Sequence, residues 1–169
     1  LLAKYMKSSQ NITGLDSAIQ ALLVARERSK RKFPSIEWIK GDALETNFPS
    51  NQFDGLLMSY GLRNLSNCDF ALKEAFRILK PGGRAGFLDF RSFENRSFQS
   101  LFQKFYLSLY VVPIASLFGL GKEYSYIKKS LEKFPTGSKQ INFAYLAGFK
   151  KAEYKLIAKG QMGILLVEA

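Results

Sequence analysis

Leu79-Lys80-Pro81-Gly82-Gly83-Arg84-Ala85-Gly86-Phe87-Leu88-Asp89-Phe90 carries a sharp break followed by a strand. Lys80-Pro81-Gly82-Gly83 cannot continue a helix, because proline lacks the amide donor and paired glycines favour a turn. Arg84–Phe90 then reads as a strand. Immediately before the break, Asp69–Leu79 sets Phe70, Leu72, Phe76 and Leu79 at helical spacing, which predicts an amphipathic helix with those residues toward a core. Before that helix, Phe53–Tyr60 holds the continuous run Leu56-Leu57-Met58, as expected of a strand buried on both faces. Further out, Ile12–Leu15 ending in Asp16 and Ile36–Lys40 ending at Gly41-Asp42 read as short strands. Between them Ser17–Lys32 reads as a helix, with Ser17 as its cap and Ile19, Leu22, Leu23 and Ala25 inward. Phe149–Ile157 and Gly163–Glu168 read as two strands joined at Lys159-Gly160. The alternation predicts an α/β fold, a mostly parallel doubly wound sheet with the terminal hairpin adding an antiparallel strand at one edge.

Length and composition set limits. The 169 residues suit a single domain, and 47% hydrophobic with 23% charged residues is ordinary globular composition. No histidine is present, so this chain holds no His-based triad, His metal site or His proton shuttle. Cys68 is the lone cysteine, which excludes an internal disulfide or a CxxC pair and suits a reducing, cytoplasmic setting. No metal site is expected. The opening residues show no charged segment followed by an apolar one, so no signal peptide is expected.

Two stretches invite sharper readings. Phe87–Tyr126 holds 11 of the 24 aromatics, and Phe105–Gly121 carries no charge. The run is short of the roughly 20 apolar residues of a membrane span and contains Pro113. Core packing and an apolar lid at about 91–135 remain equal alternatives, with Phe102 and Tyr106 among the residues suited to a greasy ligand. The net charge is +11, and 96–160 holds 11 basic against 3 acidic residues. The aromatics do not interleave with the basic residues as stacking platforms would, so nucleic acid is not the expected partner.

In a doubly wound sheet ligands bind beyond the C-terminal strand ends. Asp16, Asp42, Ser59 and Asp89 fall along that edge. Taken singly, Asp16 is as well explained as a helix-capping acid.

Ile12–Asp16, Gly41-Asp42-Ala43, Asp54–Ser59 and Leu79–Gly83 together resemble the class I S-adenosylmethionine-dependent methyltransferases. Met58-Ser59-Tyr60-Gly61-Leu62-Arg63-Asn64 is more selective. It resembles the signature of the quinone C-methyltransferases of ubiquinone and menaquinone biosynthesis. Glu123–Ile127, Phe134–Gly137, Ala147–Phe149 and Gly160–Gly163 are similar to the branch acting on 2-phytyl-1,4-naphthoquinol. The resemblance implies a Rossmann-like domain and S-adenosylmethionine as cofactor. It gives Asp16 to the ribose hydroxyls, Asp42 and the Ala43 backbone to adenine, and Ser59 to the cofactor's amino-acid end. Arg63 would stabilise a quinolate and Asn64 orient a substrate oxygen, with Tyr60, Phe102 and Tyr106 on the substrate side. Arg63 cannot be an ordinary base, since a guanidinium keeps its proton; pairing with an acid such as Asp69 is the structural alternative. Asp89 would line the acceptor site or cap a helix at Ser92. The partners implied are a lipophilic quinol and a photosynthetic membrane surface, with a homo-oligomer left open.

One departure stands out. The glycine-rich turn of such folds lies about 20 residues before the ribose acid, and no glycine precedes Gly14. The resemblance therefore implies an N-terminally incomplete domain whose first strand and loop are missing. Leu1–Ser8 would be the helix after that loop, and the 169 residues alone would bind the cofactor weakly or not at all. Against the enzyme stand a non-catalytic quinone- or membrane-binding protein of the same fold and a methyltransferase for another lipophilic molecule.

Overall fold

The structure, a computed structural model of the chain, describes residues 11–92, 130–131 and 133–169, together with Ala3. Two compact units divide the chain, Leu1–Phe48 and Pro49–Ala169.

In the first unit, β1 (Thr13–Asp16) and β2 (Glu37–Lys40) pair in parallel, Asp16 opposite Lys40, and α1 (Ile19–Ser29) connects them. A parallel pair requires such a crossover. Ser17 is not the cap. Ala18 occupies the cap position without a side-chain bond, and Asp16 Oδ1 accepts from the Ala18 amide at 2.8 Å. Leu22 is the buried residue of α1, whereas Ile19 and Leu23 are exposed. Ser29 Oγ accepts from Trp38 Nε1 at 3.1 Å, tying the helix end to β2.

The second unit is a four-stranded sheet in the order β3-β4-β6-β5: β3 (Phe53–Ser59), β4 (Leu79–Phe90), β5 (Lys151–Ile157) and β6 (Met162–Glu168). β3 and β4 are parallel; β6 runs antiparallel to both β4 and β5. The antiparallel strand is thus internal, and β5 forms the edge. The Pro-Gly-Gly break is absorbed within β4. Phe53 pairs with Leu79 and Gly55 already with Arg84, so the intervening residues bulge out, with Gly82 at φ 77°, a conformation glycine adopts without steric cost.

β3 is not buried on both faces: Leu57 is 66% exposed. It is an end strand of the described sheet, whereas β4 has neighbours on both sides and buries Ala85, Phe87 and Asp89. α2 (Cys68–Ile78) starts at Asn67, whose side chain accepts from the Asp69 and Phe70 amides. Its inner face is Ala71, Leu72, Ala75 and Ile78. Phe70 points out, 57% exposed, with Lys73 Nζ 5.4 Å from its ring centroid. α3 (Gly137–Ala147) packs against α2, β5 and β6. Leu72, Leu79, Ala144, Leu165, Phe87 and Phe149 form the centre of this core. No helix among the described residues is long and apolar enough to cross a membrane. Phe102, Tyr106 and most of the 91–135 segment lie outside the described residues, as does Leu1–Ser8 apart from Ala3.

Candidate active site

Where β3 ends, the chain turns sharply. The Tyr60 amide donates to the Leu88 carbonyl at 2.8 Å, carrying the β3–β4 ladder one residue past Ser59. Tyr60 itself is left-handed, at φ 57°. For a bulky residue this costs about 1–2 kcal/mol and persists only where the surroundings enforce it. A one-turn 3-10 helix, Leu62–Asn64, follows, with Leu62 buried as its anchor.

The turn aims the Tyr60 carbonyl at its own downstream side chains. It accepts from Arg63 Nη1 at 3.1 Å and from Asn64 Nδ2 at 3.0 Å. Arg63 reaches across to the end of β4: its Nη1 donates to Asp89 Oδ1 at 2.7 Å and its amide to Oδ2 at 3.1 Å. Oδ1 also accepts from the Phe90 amide at 2.8 Å. The pair is deeply placed, with side chains 9% and 4% exposed for Arg63 and Asp89. The guanidinium carbon lies 5.4 Å from the Phe90 ring centroid and 5.9 Å from that of Tyr60, and the two rings are 5.5 Å apart. Arg63 Nε is buried without a partner among the described residues. A guanidinium held by a carboxylate and two aromatic rings, with a donor uncommitted, is suited to stabilising developing negative charge on an oxygen.

In the first unit, Asp16 ends β1 and Asp42 follows β2, so both carboxylates sit at the C-terminal edge of one parallel pair; the Gly41 amide donates to the Asp16 carbonyl at 3.1 Å. Asp42 Oδ1 accepts from the Leu44 amide at 2.9 Å in a small turn that presents Ala43. Both acids are exposed. Two exposed carboxylates each fit a hydroxyl or amino donor, the groups that the ribose and adenine of S-adenosylmethionine carry.

The second unit brings Ser59, Tyr60, Arg63, Asn64 and Asp89 to one edge of its sheet. Arg63 pairs with Asp89 rather than Asp69, which instead bonds Lys73 at 2.7 Å within α2. Among the described residues the Asp89 oxygens serve Arg63 and Phe90, and the helix expected after Ser92 lies outside them. Phe90 joins the site without having been singled out from sequence, and nothing in an aromatic at a strand end would have signalled it.

Cys68 lies at the start of α2, near this cluster. Burial pushes its thiol up to about 12, with the Asp69 and Asp89 carboxylates adding to the effect. The thiolate is the reactive form. At pH 8 the native protein is therefore expected to label with iodoacetamide at least about a hundredfold more slowly than the urea-unfolded chain, as read by mass spectrometry. Equal rates would mean the thiol is accessible.

The model of the ubiE/COQ5 methyltransferase family matches residues 1–166. The "2-phytyl-1,4-naphtoquinone methyltransferase" of Nostoc punctiforme is 41% identical over 98% of this chain and 73% of its own length. That of Synechocystis sp. is 42% identical over 98% of this chain and 70% of its own. A solved SAM-dependent methyltransferase from Aquifex aeolicus superposes with a TM-score of 0.63 at 14% identity, covering 92% of this chain and 67% of that one, which shows a shared fold. By its fold and by a family match that spans nearly every residue, the chain belongs to the ubiE/COQ5 methyltransferase family, whose members are S-adenosylmethionine-dependent.

Proposed function

We propose that the enzyme methylates a ring carbon of 2-phytyl-1,4-naphthoquinol, as the names of its cyanobacterial relatives suggest. The observation that carries the reading is the buried Arg63–Asp89 pair beneath the left-handed Tyr60 turn. In this reading Asp16 accepts from the ribose hydroxyls, Asp42 from the adenine amino group beside the Ala43 backbone, and Ser59 contacts the amino-acid end. Bound S-adenosylmethionine supplies an already electrophilic methyl group, so the chain's task is alignment and activation of the acceptor. A quinol carbon becomes nucleophilic when its hydroxyl loses a proton. Arg63 stabilises the resulting oxyanion. In this reading Asp89 serves to hold Arg63, and the proton passes to water. Asn64, its amide nitrogen tied to Tyr60, offers its amide oxygen to a substrate hydroxyl, and the Tyr60 ring forms one wall. Phe102 and Tyr106, in the 91–135 segment of a single methyltransferase domain, take the phytyl tail. The excess of basic residues favours peripheral contact with an anionic membrane in which such a substrate dissolves.

The test is the full-length protein with methyl-labelled S-adenosylmethionine and a panel of demethylated naphthoquinols and benzoquinols. Label is expected on the naphthoquinol ring, with the phytyl compound giving the highest kcat/KM and a short-tailed analogue a KM raised at least about tenfold, since each buried methylene contributes about 0.8 kcal/mol. Preferential labelling of benzoquinols would overturn the naphthoquinol assignment. An unchanged KM for the short tail would remove Phe102 and Tyr106 from the substrate site.

A further inference from the structure

Tyr154, on β5, is placed by two glycines in an unusual way. In the register of the sheet, Asp89 lies opposite Gly163, and Gly163 opposite Leu156; one step along, Phe87 lies opposite Leu165, and Leu165 opposite Tyr154. Alternation puts Asp89, Gly163 and Tyr154 on the same face of the sheet. The Tyr154 ring does not stay in its own row. A Cβ built on Gly163 would collide with the Tyr154 hydroxyl oxygen and Cζ. A Cβ built on Gly137 would lie 2.5 Å from Cδ1 and 2.6 Å from Cε1. The ring therefore runs diagonally across the sheet, and its hydroxyl occupies the space where residue 163 would otherwise carry a side chain. Directly opposed Cβ positions on antiparallel strands are about 4.5–5.5 Å apart, so the hydroxyl sits one cross-strand neighbour from Asp89.

Asp89 has room for it. Oδ1 accepts from Arg63 Nη1 and Phe90 N, filling both of its lone-pair directions, whereas Oδ2 accepts from the Arg63 amide and, among the described residues, from nothing else. Among the described residues the charged and titratable groups around this carboxylate are Arg63 on the 3-10 turn, Cys68 on α2 and Tyr154 on β5, with Arg91 after β4 acting on the Tyr154 phenol. Burial, more than the neighbouring Asp89 charge, holds the Tyr154 phenol above its ordinary value against the opposing pull of Arg91, so it stays a protonated donor. A glycine inside a strand weakens it, and phenylalanine would fill the same slot with no hydroxyl to satisfy. Packing accounts for the ring, and the hydroxyl, which has no hydrogen-bond partner among the described residues, is left to bond water beside Asp89.

We propose that Tyr154 is a positioning residue: through the window left by Gly163 its hydroxyl donates toward Asp89 through one water, and so fixes the Arg63 guanidinium for catalysis. The proposal rests on the reading of Arg63 given above. In the full-length enzyme, Tyr154→Phe keeps the ring and deletes the donor. It is expected to lower kcat about tenfold, the scale of a small misplacement of a catalytic group, with KM for both substrates within about twofold and an unchanged melting temperature. Gly163→Ala, whose Cβ displaces the hydroxyl, is expected to give the same loss in kcat. Arg63→Ala is measured alongside. A wild-type kcat for Tyr154→Phe, with Arg63→Ala strongly impaired, overturns the role of Tyr154 alone. Wild-type turnover by Arg63→Ala overturns the reading of Arg63 and this proposal with it.

Discussion

Arg63→Ala is expected to retain less than about one hundredth of wild-type kcat/KM, as loss of a preorganised oxyanion donor typically costs 10²–10³ in rate. It is also expected to lower stability by about 3–5 kcal/mol, the usual cost of removing one partner of a buried ion pair. The second effect follows from where Asp89 sits. Its carboxylate is 4% exposed and would lose the one charged donor of its three, keeping only the backbone amides of residues 63 and 90. Both effects must be separated, and lysine does so. Arg63→Lys returns a positive charge near Asp89 but not the planar fork that reaches Asp89, the Tyr60 carbonyl and the two rings at once. It should recover most of the stability, read by urea unfolding, and little of the rate, read by methyl transfer from labelled S-adenosylmethionine. An alanine variant that is destabilised but turns over normally would make Arg63 a structural residue only.

The reason this pair could not be read in advance is geometric. Arg63 and Asp89 are 26 positions apart, and what brings them together is the parallel register that sets Ser59 opposite Leu88. Sequence supplies strand ends well, because an acid or a polar residue after an apolar run marks them locally; Asp16, Asp42 and Ser59 were legible for that reason. It supplies register poorly, because many offsets bury the same apolar residues. α3 escaped for a different cause. Its buried residues include Gln140, whose amide donates to the Pro135 carbonyl at 2.8 Å, so its inner face does not look apolar. Phe70 misled in the opposite direction, a large apolar side chain at helical spacing that ends outside, under Lys73. Tyr154 shows the same limit. Neither Gly137 nor Gly163 is informative until the sheet sets both against one ring.

Asp16→Asn is expected to raise the KM for S-adenosylmethionine about 30-fold while leaving the melting temperature and kcat at saturation nearly unchanged. The sequence left two explanations for Asp16, a helix-capping acid and a ribose ligand, and the structure shows why asparagine distinguishes them. Asp16 Oδ1 accepts from the Ala18 amide at 2.8 Å, and α1 has no side-chain cap of its own, so Asp16 does serve the helix start. An asparagine side-chain oxygen accepts the same bond, and asparagine and aspartate are near equals in this role. What asparagine removes is the negative charge that a pair of ribose hydroxyls would bond. Hydrogen bonds to charged groups contribute about 1.5–3 kcal/mol, about 10- to 150-fold in affinity. Because the ribose is remote from the reacting methyl, the loss should fall on ground state and transition state alike and appear in KM rather than kcat. Asp16→Ala should share the KM effect and in addition lose about 1 kcal/mol of stability through the missing cap. If Asp16→Asn binds S-adenosylmethionine like the wild type while Asp16→Ala is destabilised, Asp16 is a capping residue and the ribose is held elsewhere.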